Sequence, residues 1–216
     1  MTSMIKKVAI LGSSRGLGRA LKAEIAKTED TNFLLVARNS AKLKEVAGAK
    51  DHILSADFTK SEDQNRVMMA LRGFDPTHLF YVAGGGPYGR YESKEWGDHE
   101  WALKLNFIFP AQMLFQILKT PSEFKDLKQL AFVGSAIAGQ NPDPMAASYA
   151  AAKHALRGLV TSVQHEKQSI DLRLYEPGYM ATDMLPTHSW PRQKGLAKSP
   201  EDGARDLWLY CQSQVK

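Results

Sequence analysis

The stretch "KKVAILGSSRGLGRAL", residues 6–21, runs from a short apolar segment into three glycines and then into a helical pattern. The apolar run is brief, rich in β-formers and ends at Gly12, so it reads as a strand. Gly16 and Gly18 open the amphipathic stretch that follows, about residues 16–27. This strand–glycine–helix unit sets the frame for the rest of the chain. "NFLLVAR" (32–38), "THLFYVAGG" (77–85), "KQLAFVGS" (128–135) and "SIDLRLYEPG" (169–178) supply further strands, and Asp57 in "LSADFT" (54–59) follows the third strand. Between them lie amphipathic stretches at about 61–72, 93–119 and 147–168. A last helix over 199–213 opens with "SPED", a serine cap followed by proline and two acids. Strand and helix in alternation imply βαβ units, hence one α/β domain over residues 1–216: a doubly wound, Rossmann-type parallel sheet with helices on both faces. Ligands of such sheets sit beyond the carboxyl ends of the strands. The residues just after each strand are therefore the ones to inspect.

Bulk composition narrows the function classes. Of 216 residues, 44% are hydrophobic and 24% charged, ordinary for a globular domain. No apolar run approaches the roughly 18 residues of a membrane span. The opening "MTSMIKKVAILG" lacks a signal-peptide core, and one cysteine, Cys211, excludes an internal disulfide. A cytoplasmic protein is expected. The net charge of +5 comes from scattered lysines and arginines without a basic run. Nucleic acid is thus not the expected partner, whereas a mild positive field suits a small polyanion.

Glycines at this strand–helix turn let a pyrophosphate approach backbone N–H groups at a helix N-terminus. Their spacing is G-x-x-x-G-x-G (Gly12, Gly16, Gly18). After the second strand, where an acid would hold a ribose 2′-hydroxyl, stands Arg38, and Arg15 lies inside the glycine loop. A guanidinium grips a 2′-phosphate, so NADP(H) is the expected cofactor. Tyr149 and Lys153 in "SYAAAKHAL" (148–156) lie one helical turn apart on one face.

Taken in order, these pieces resemble the short-chain dehydrogenase/reductase family over most of the chain. The resemblance implies a catalytic set of Asn106, Ser135, Tyr149 and Lys153. Tyr149 would be the acid/base, its pKa lowered by the Lys153 ammonium. Lys153 would also bind the nicotinamide ribose, Ser135 would hold the substrate oxygen and Asn106 would position a relay water. For the cofactor it implies Gly12, Ser14, Arg15, Gly16, Leu17, Gly18, Arg38, Asp57 and Phe58, then Ala83, Gly84, Tyr149 and Lys153. Pro177, Gly178 and Thr182, in "EPGYMATDM", match the segment that meets the nicotinamide carboxamide. The reaction implied is hydride transfer between the nicotinamide and a small-molecule carbonyl or alcohol.

Departures from the family pattern are specific. Leu11 stands where threonine is usual, and Tyr81 and Val82 replace two asparagines after the fourth strand. Those polar groups tie the first and fourth strands in the family; here an apolar contact is expected instead. Ser135 precedes Tyr149 by one residue more than the common spacing, which leaves Ala136 as a rival for the serine slot. The segment after Thr182 is short, and no final strand is expected after the last helix. A homodimer through the helices carrying Asn106 and Tyr149 is the expected assembly. The lost asparagines also leave open a second class, a catalytically slow NADP(H)-binding sensor or scaffold.

Overall fold

In a computed structural model of the protein, which describes residues 6–28, 30–139, 144–166 and 168–213, the strand–glycine–helix unit of the opening stretch becomes β1 (Lys6–Leu11) and α1 (Gly16–Thr28). Five more strands follow: β2 (Thr31–Ala37), β3 (His52–Ser55), β4 (His78–Tyr81), β5 (Gln129–Val133) and β6 (Asp171–Tyr175). They form one sheet in the order β3-β2-β1-β4-β5-β6, with every neighbour parallel. The chain winds outward from β1 to β3, then crosses back to β4 beside β1. The switch point therefore lies between β1 and β4, and ligand clefts open at such points.

Alternation along the strands decides which face each helix covers. Ala9, Leu11, Leu34, Val36, Leu79, Tyr81, Leu130 and Phe132 point to one side. There they meet α3 (Ser61–Phe74), α5 (Phe109–Lys119) and α6 (Ala147–Gln164) through Val67, Leu71, Met113, Leu156 and Val160. Val8, Ile10, Phe33, Leu35, Phe80 and Ala131 point to the other. They pack on α1, α2 (Ser40–Val46) and α8 (Pro200–Gln212) through Leu21, Ile25, Leu43, Leu207 and Trp208. The doubly wound architecture expected from the sequence is the one observed.

Two elements differ from the sequence reading. Helix α2 is only seven residues long and buries one side chain, Leu43, so it has no periodicity to read. The single amphipathic stretch at 93–119 is in fact three pieces. Helix α4 (Trp96–Leu103) passes through a π turn (Lys104–Ile108) into α5. The wide turn is visible in the Phe109 N–H, which bonds Lys104 O five residues back. Asn106 sits inside it, and single π turns of this kind concentrate at functional sites. A short α7 (Trp190–Gln193) lies between β6 and α8.

Candidate active site

The loop after β1 is shaped by close approaches that only glycine allows. Gly12 has φ 101°, and a Cβ there would stand 2.5 Å from the Ala83 nitrogen, across the switch point. A Cβ on Gly18 would stand 2.2 Å from the Gly12 carbonyl oxygen. The loop thus folds tightly onto the first turn of α1, which carries no acidic side chain. An N-terminus of this kind, with its amides free of a competing carboxylate, suits a phosphate group.

This loop forms one wall of a cleft of about 550 Å³ over the carboxyl edge of the sheet. Gly12, Ser14, Arg15, Gly16, Leu17 and Gly18 line it, as do Arg38, Asp57, Phe58, Ala83 and Gly84. Ser135, Tyr149, Lys153, Pro177, Gly178 and Thr182 line it too. Of the residues singled out in the sequence, only Asn106 lies outside it. Arg15, Arg38 and Lys42 border one end, which makes that end cationic. The Arg38 guanidinium sits 5.6 Å from the Trp101 ring centroid, and Arg15 Nη1 lies 3.5 Å from an Asp183 carboxylate oxygen. Asp57 also shapes its own turn: its Oδ1 accepts from the Thr59 N–H at 3.0 Å and the Thr59 hydroxyl at 2.8 Å. The Phe58 ring is buried and stacks on Phe109, with centroids 5.4 Å apart. A glycine cradle at a helix N-terminus, followed by cations along one open channel, fits a phosphorylated dinucleotide.

At the other end, Tyr149 and Lys153 occupy the first turns of α6, Tyr149 half-buried and Lys153 buried. Lys153 Nζ donates to the Val133 carbonyl at 2.7 Å and sits 5.5 Å from the Tyr149 ring centroid. Ser135 follows β5 in extended conformation, and its Oγ accepts from the Ile137 N–H at 3.3 Å. Ala136 instead uses its N–H on the Pro177 carbonyl, at 2.9 Å. The expected lowering of the phenol pKa by the ammonium is not what the structure displays. Burial pushes the Tyr149 phenol up to about 12, opposed by the nearby Ser135 hydroxyl. Burial also pulls Lys153 down to about 7. Lys153 is the deeper of the two, and its ammonium loses more solvation there than a neighbouring neutral phenol returns.

Asn106 is fully buried beneath this end. Its Nδ2 donates to the Gly85 and Ala102 carbonyls, both at 2.6 Å, and its Oδ1 accepts from the Gly85 N–H at 3.2 Å. The side chain is thus spent on pinning the loop after β4. Tyr81, expected to make an apolar contact, is polar in its effect. Its hydroxyl donates to Leu105 O at 2.6 Å, inside the π turn, and burial holds its pKa well above the usual phenol value. Backbone bonds join β1 to the loop after β4, from the Val82 and Ala83 N–H groups to Leu11 O at 2.8 and 2.9 Å. No side-chain amide is needed at that junction.

Lining residues that the sequence did not single out are Lys42, Tyr88, Trp101, Tyr179 and Met184. Lys42 lies four residues beyond Arg38, in α2, but Arg38 precedes the helix, so no helical spacing ties the two together. The others come from loops without periodicity. Around Tyr149 the cleft is walled by Pro87, Tyr88, Ile137, Tyr179, Met184 and Leu185. Among the described residues of that half, charge comes only from Lys153 and from Asp183, which faces Arg15. Arg192 stands behind this wall, its Nη2 donating to Thr182 O at 2.6 Å and its Nε to Leu185 O at 3.0 Å. No helix among the described residues is long and apolar enough to cross a membrane.

Comparison with known proteins agrees with this picture. The Hydroxysteroid 11-beta-dehydrogenase 1-like protein B of Xenopus laevis is 27% identical, covering 94% of this chain and 73% of that protein. The 7beta-hydroxysteroid dehydrogenase of Clostridium sardiniense is 25% identical over 91% of this chain and 78% of its own. Among solved structures, an alcohol dehydrogenase from the archaeon Thermococcus sibiricus, complexed with 5-hydroxy-NADP, superposes with a TM-score of 0.81. It is 21% identical and covers 97% of this chain and 92% of that one, which speaks for the fold. The model of the short chain dehydrogenase family matches residues 6–192, and with glycine loop, sheet order and cleft in agreement, the chain belongs to that family.

Proposed function

We propose that the protein is an NADPH-dependent oxidoreductase, moving a hydride between nicotinamide and a carbonyl or secondary alcohol with Tyr149 as the acid/base. The observation that carries the reading is one continuous cleft, cationic at one end and holding Ser135, Tyr149 and Lys153 at the other. The bound nicotinamide supplies the hydride. Gly12 to Gly18 would hold the pyrophosphate, and Arg15, Arg38 and Lys42 the 2′-phosphate. Pro177, Gly178 and Thr182 would border the carboxamide, and Asp57 the adenine. Ser135 and Tyr149 offer two hydroxyls to one substrate oxygen. Reduction leaves negative charge on that oxygen, and the Tyr149 hydroxyl would give it a proton. Lys153, donating beside the ring, then steadies the phenolate.

Substrate chemistry follows from the walls. A carboxylate or phosphate beside Met184 and Tyr88 would find no free cation among the described residues and would lose its hydration. Uncharged, apolar ketones or alcohols fit, and a relative named as a 7beta-hydroxysteroid dehydrogenase, with another named as a Hydroxysteroid 11-beta-dehydrogenase 1-like protein, supports that class. A homodimer completes the reading, with Ile108 and Phe115 exposed two turns apart on the α5 side. A reducing cytoplasmic setting suits the single buried thiol, Cys211.

The test is a fluorescence titration with NADPH and with NADH, repeated on Arg38→Ala, then a screen of apolar ketones. NADPH is expected to bind tighter than NADH, and Arg38→Ala to weaken NADPH alone by about tenfold or more. Tyr149→Phe should keep NADPH binding and abolish reduction. Equal binding of both cofactors sinks the NADPH assignment. Reduction that survives Tyr149→Phe sinks the catalytic one. NADPH binding without any turnover would favour the sensor reading.

A further inference from the structure

His99, on α4, is 5% exposed and belongs to no part of the machinery above. Both ring nitrogens are engaged. Nε2 lies 3.0 Å from the Tyr91 carbonyl oxygen and Nδ1 lies 2.6 Å from Ser148 Oγ. A carbonyl can only accept, so Nε2 carries the proton; in the neutral ring Nδ1 then accepts from the Ser148 hydroxyl. The Tyr91 ring lies against the imidazole with centroids 4.4 Å apart.

The two partners belong to segments that matter. Ser148 is itself buried and immediately precedes Tyr149 in the first turn of α6. That helix starts without a side-chain cap, because Ala146 stands at the N-cap. Ser148–His99 is therefore the side-chain anchor of the turn that presents Tyr149. Tyr91 closes the loop whose earlier residues, Pro87 and Tyr88, wall the substrate half of the cleft. That loop is already close to α6. Its Gly89 N–H donates to Met145 O at 2.8 Å, and a Cβ on Gly86 would come within 2.9 Å of Tyr149 Cβ. A side chain serving only to fill space here would be apolar, since an imidazole must find two partners to be buried without penalty.

We propose that His99 is a positioning residue with two separable duties. Nδ1, through Ser148, sets the phenol of Tyr149 for proton transfer. Nε2, through Tyr91, holds the Pro87–Tyr88 wall against bound substrate. Its kinetic consequences rest on the oxidoreductase reading above; its structural ones do not.

Two amide replacements separate the duties. His99→Asn places an acceptor where Nδ1 stands and removes the Nε2 donor. His99→Gln places an N–H where Nε2 stands and removes the Nδ1 acceptor. With NADPH and 1-decalone as the probe ketone, His99→Asn should raise KM about tenfold with kcat nearly kept, and His99→Gln should lower kcat about tenfold with KM nearly kept. Amide hydrogen exchange on the same proteins needs no turnover. It should quicken over residues 87–93 in His99→Asn and over residues 150–153 in His99→Gln. NADPH affinity should be that of the native chain in both, which shows that the fold is intact. Identical changes in the two variants, or native exchange and kinetics in His99→Leu, would overturn the proposal. If the split appears in exchange while no ketone is reduced by any form, the positioning role stands and the oxidoreductase reading falls.

Discussion

Replacing Lys153 by methionine should make the folded protein less sensitive to pH and more stable below neutrality. The amine is 2% exposed, and burial lowers its pKa from 10.5 to about 7. Between those two values the unfolded chain holds a proton that the folded chain has released. Unfolding then takes up a proton, and stability rises with pH across that window. Below pH 7 the full cost is present, because the ammonium must be carried in the dry site. At about 1.4 kcal/mol per pH unit, the whole drop corresponds to about 5 kcal/mol, an order-of-magnitude figure. The Lys153→Met change would remove that cost but leave the Val133 carbonyl without its 2.7 Å donor, a loss of about 1–2 kcal/mol. The variant should therefore be about 3 kcal/mol more stable at pH 6 and no better than the native chain above pH 9. Urea unfolding of the cofactor-free proteins at half-unit steps from pH 6 to 9 reads the difference directly, since titrations common to both cancel. The Tyr149 phenol, raised from 10 to about 12, alters stability only above pH 10, where the folded chain keeps its proton longer and stability falls with rising pH. Parallel stability curves for the two proteins would show that Lys153 keeps its charge in the folded state and would refute the discharged amine.

Two further outcomes follow from contacts away from the reacting groups. Tyr81→Phe removes the hydroxyl that satisfies Leu105 O and should cost about 1–2 kcal/mol in chemical denaturation. Because that carbonyl lies in the π turn next to Asn106, exchange at the Gly85 amide should quicken as well; an unchanged Gly85 would mean that the turn holds without the tyrosine. Gly18→Ala places a Cβ against the Gly12 carbonyl and should lower Tm by about 6 °C while weakening NADPH, with differential scanning calorimetry and the fluorescence titration as readouts. A Tm unchanged by that substitution would contradict the tight closure of the loop on α1.

The sheet was legible because its signals are local: a short β-rich run, a glycine turn, then an amphipathic stretch, repeated. The cleft was legible because strand ends converge in this topology, so Arg38, Asp57, Ser135 and Pro177 could be placed without knowing their contacts. What escaped the sequence depended on pairs distant along the chain. Tyr81 reads as one more apolar strand residue, and nothing local says that its hydroxyl meets a carbonyl 24 residues away. The π turn has no composition signal: it lies within a continuous helical pattern, where the bond from Asn106 Nδ2 to Ala102 O leaves no local mark in the sequence. The titration of Tyr149 and Lys153 also depended on depth, which spacing alone does not give.

The Tyr81–Leu105 bond bears on how this chain can drift. Its phenol lies between Phe58, Phe109 and Phe132 and ends on a helix carbonyl. An asparagine restored at this position would be too short to reach that carbonyl and would leave a ring-sized void among three aromatics. The reverse exchange, asparagine to tyrosine, would add a ring that needs the same aromatic surround and the same carbonyl to be accommodated. The two solutions are thus separated by several simultaneous changes, so position 81 and its aromatic neighbours should be inherited as a block rather than exchanged one residue at a time.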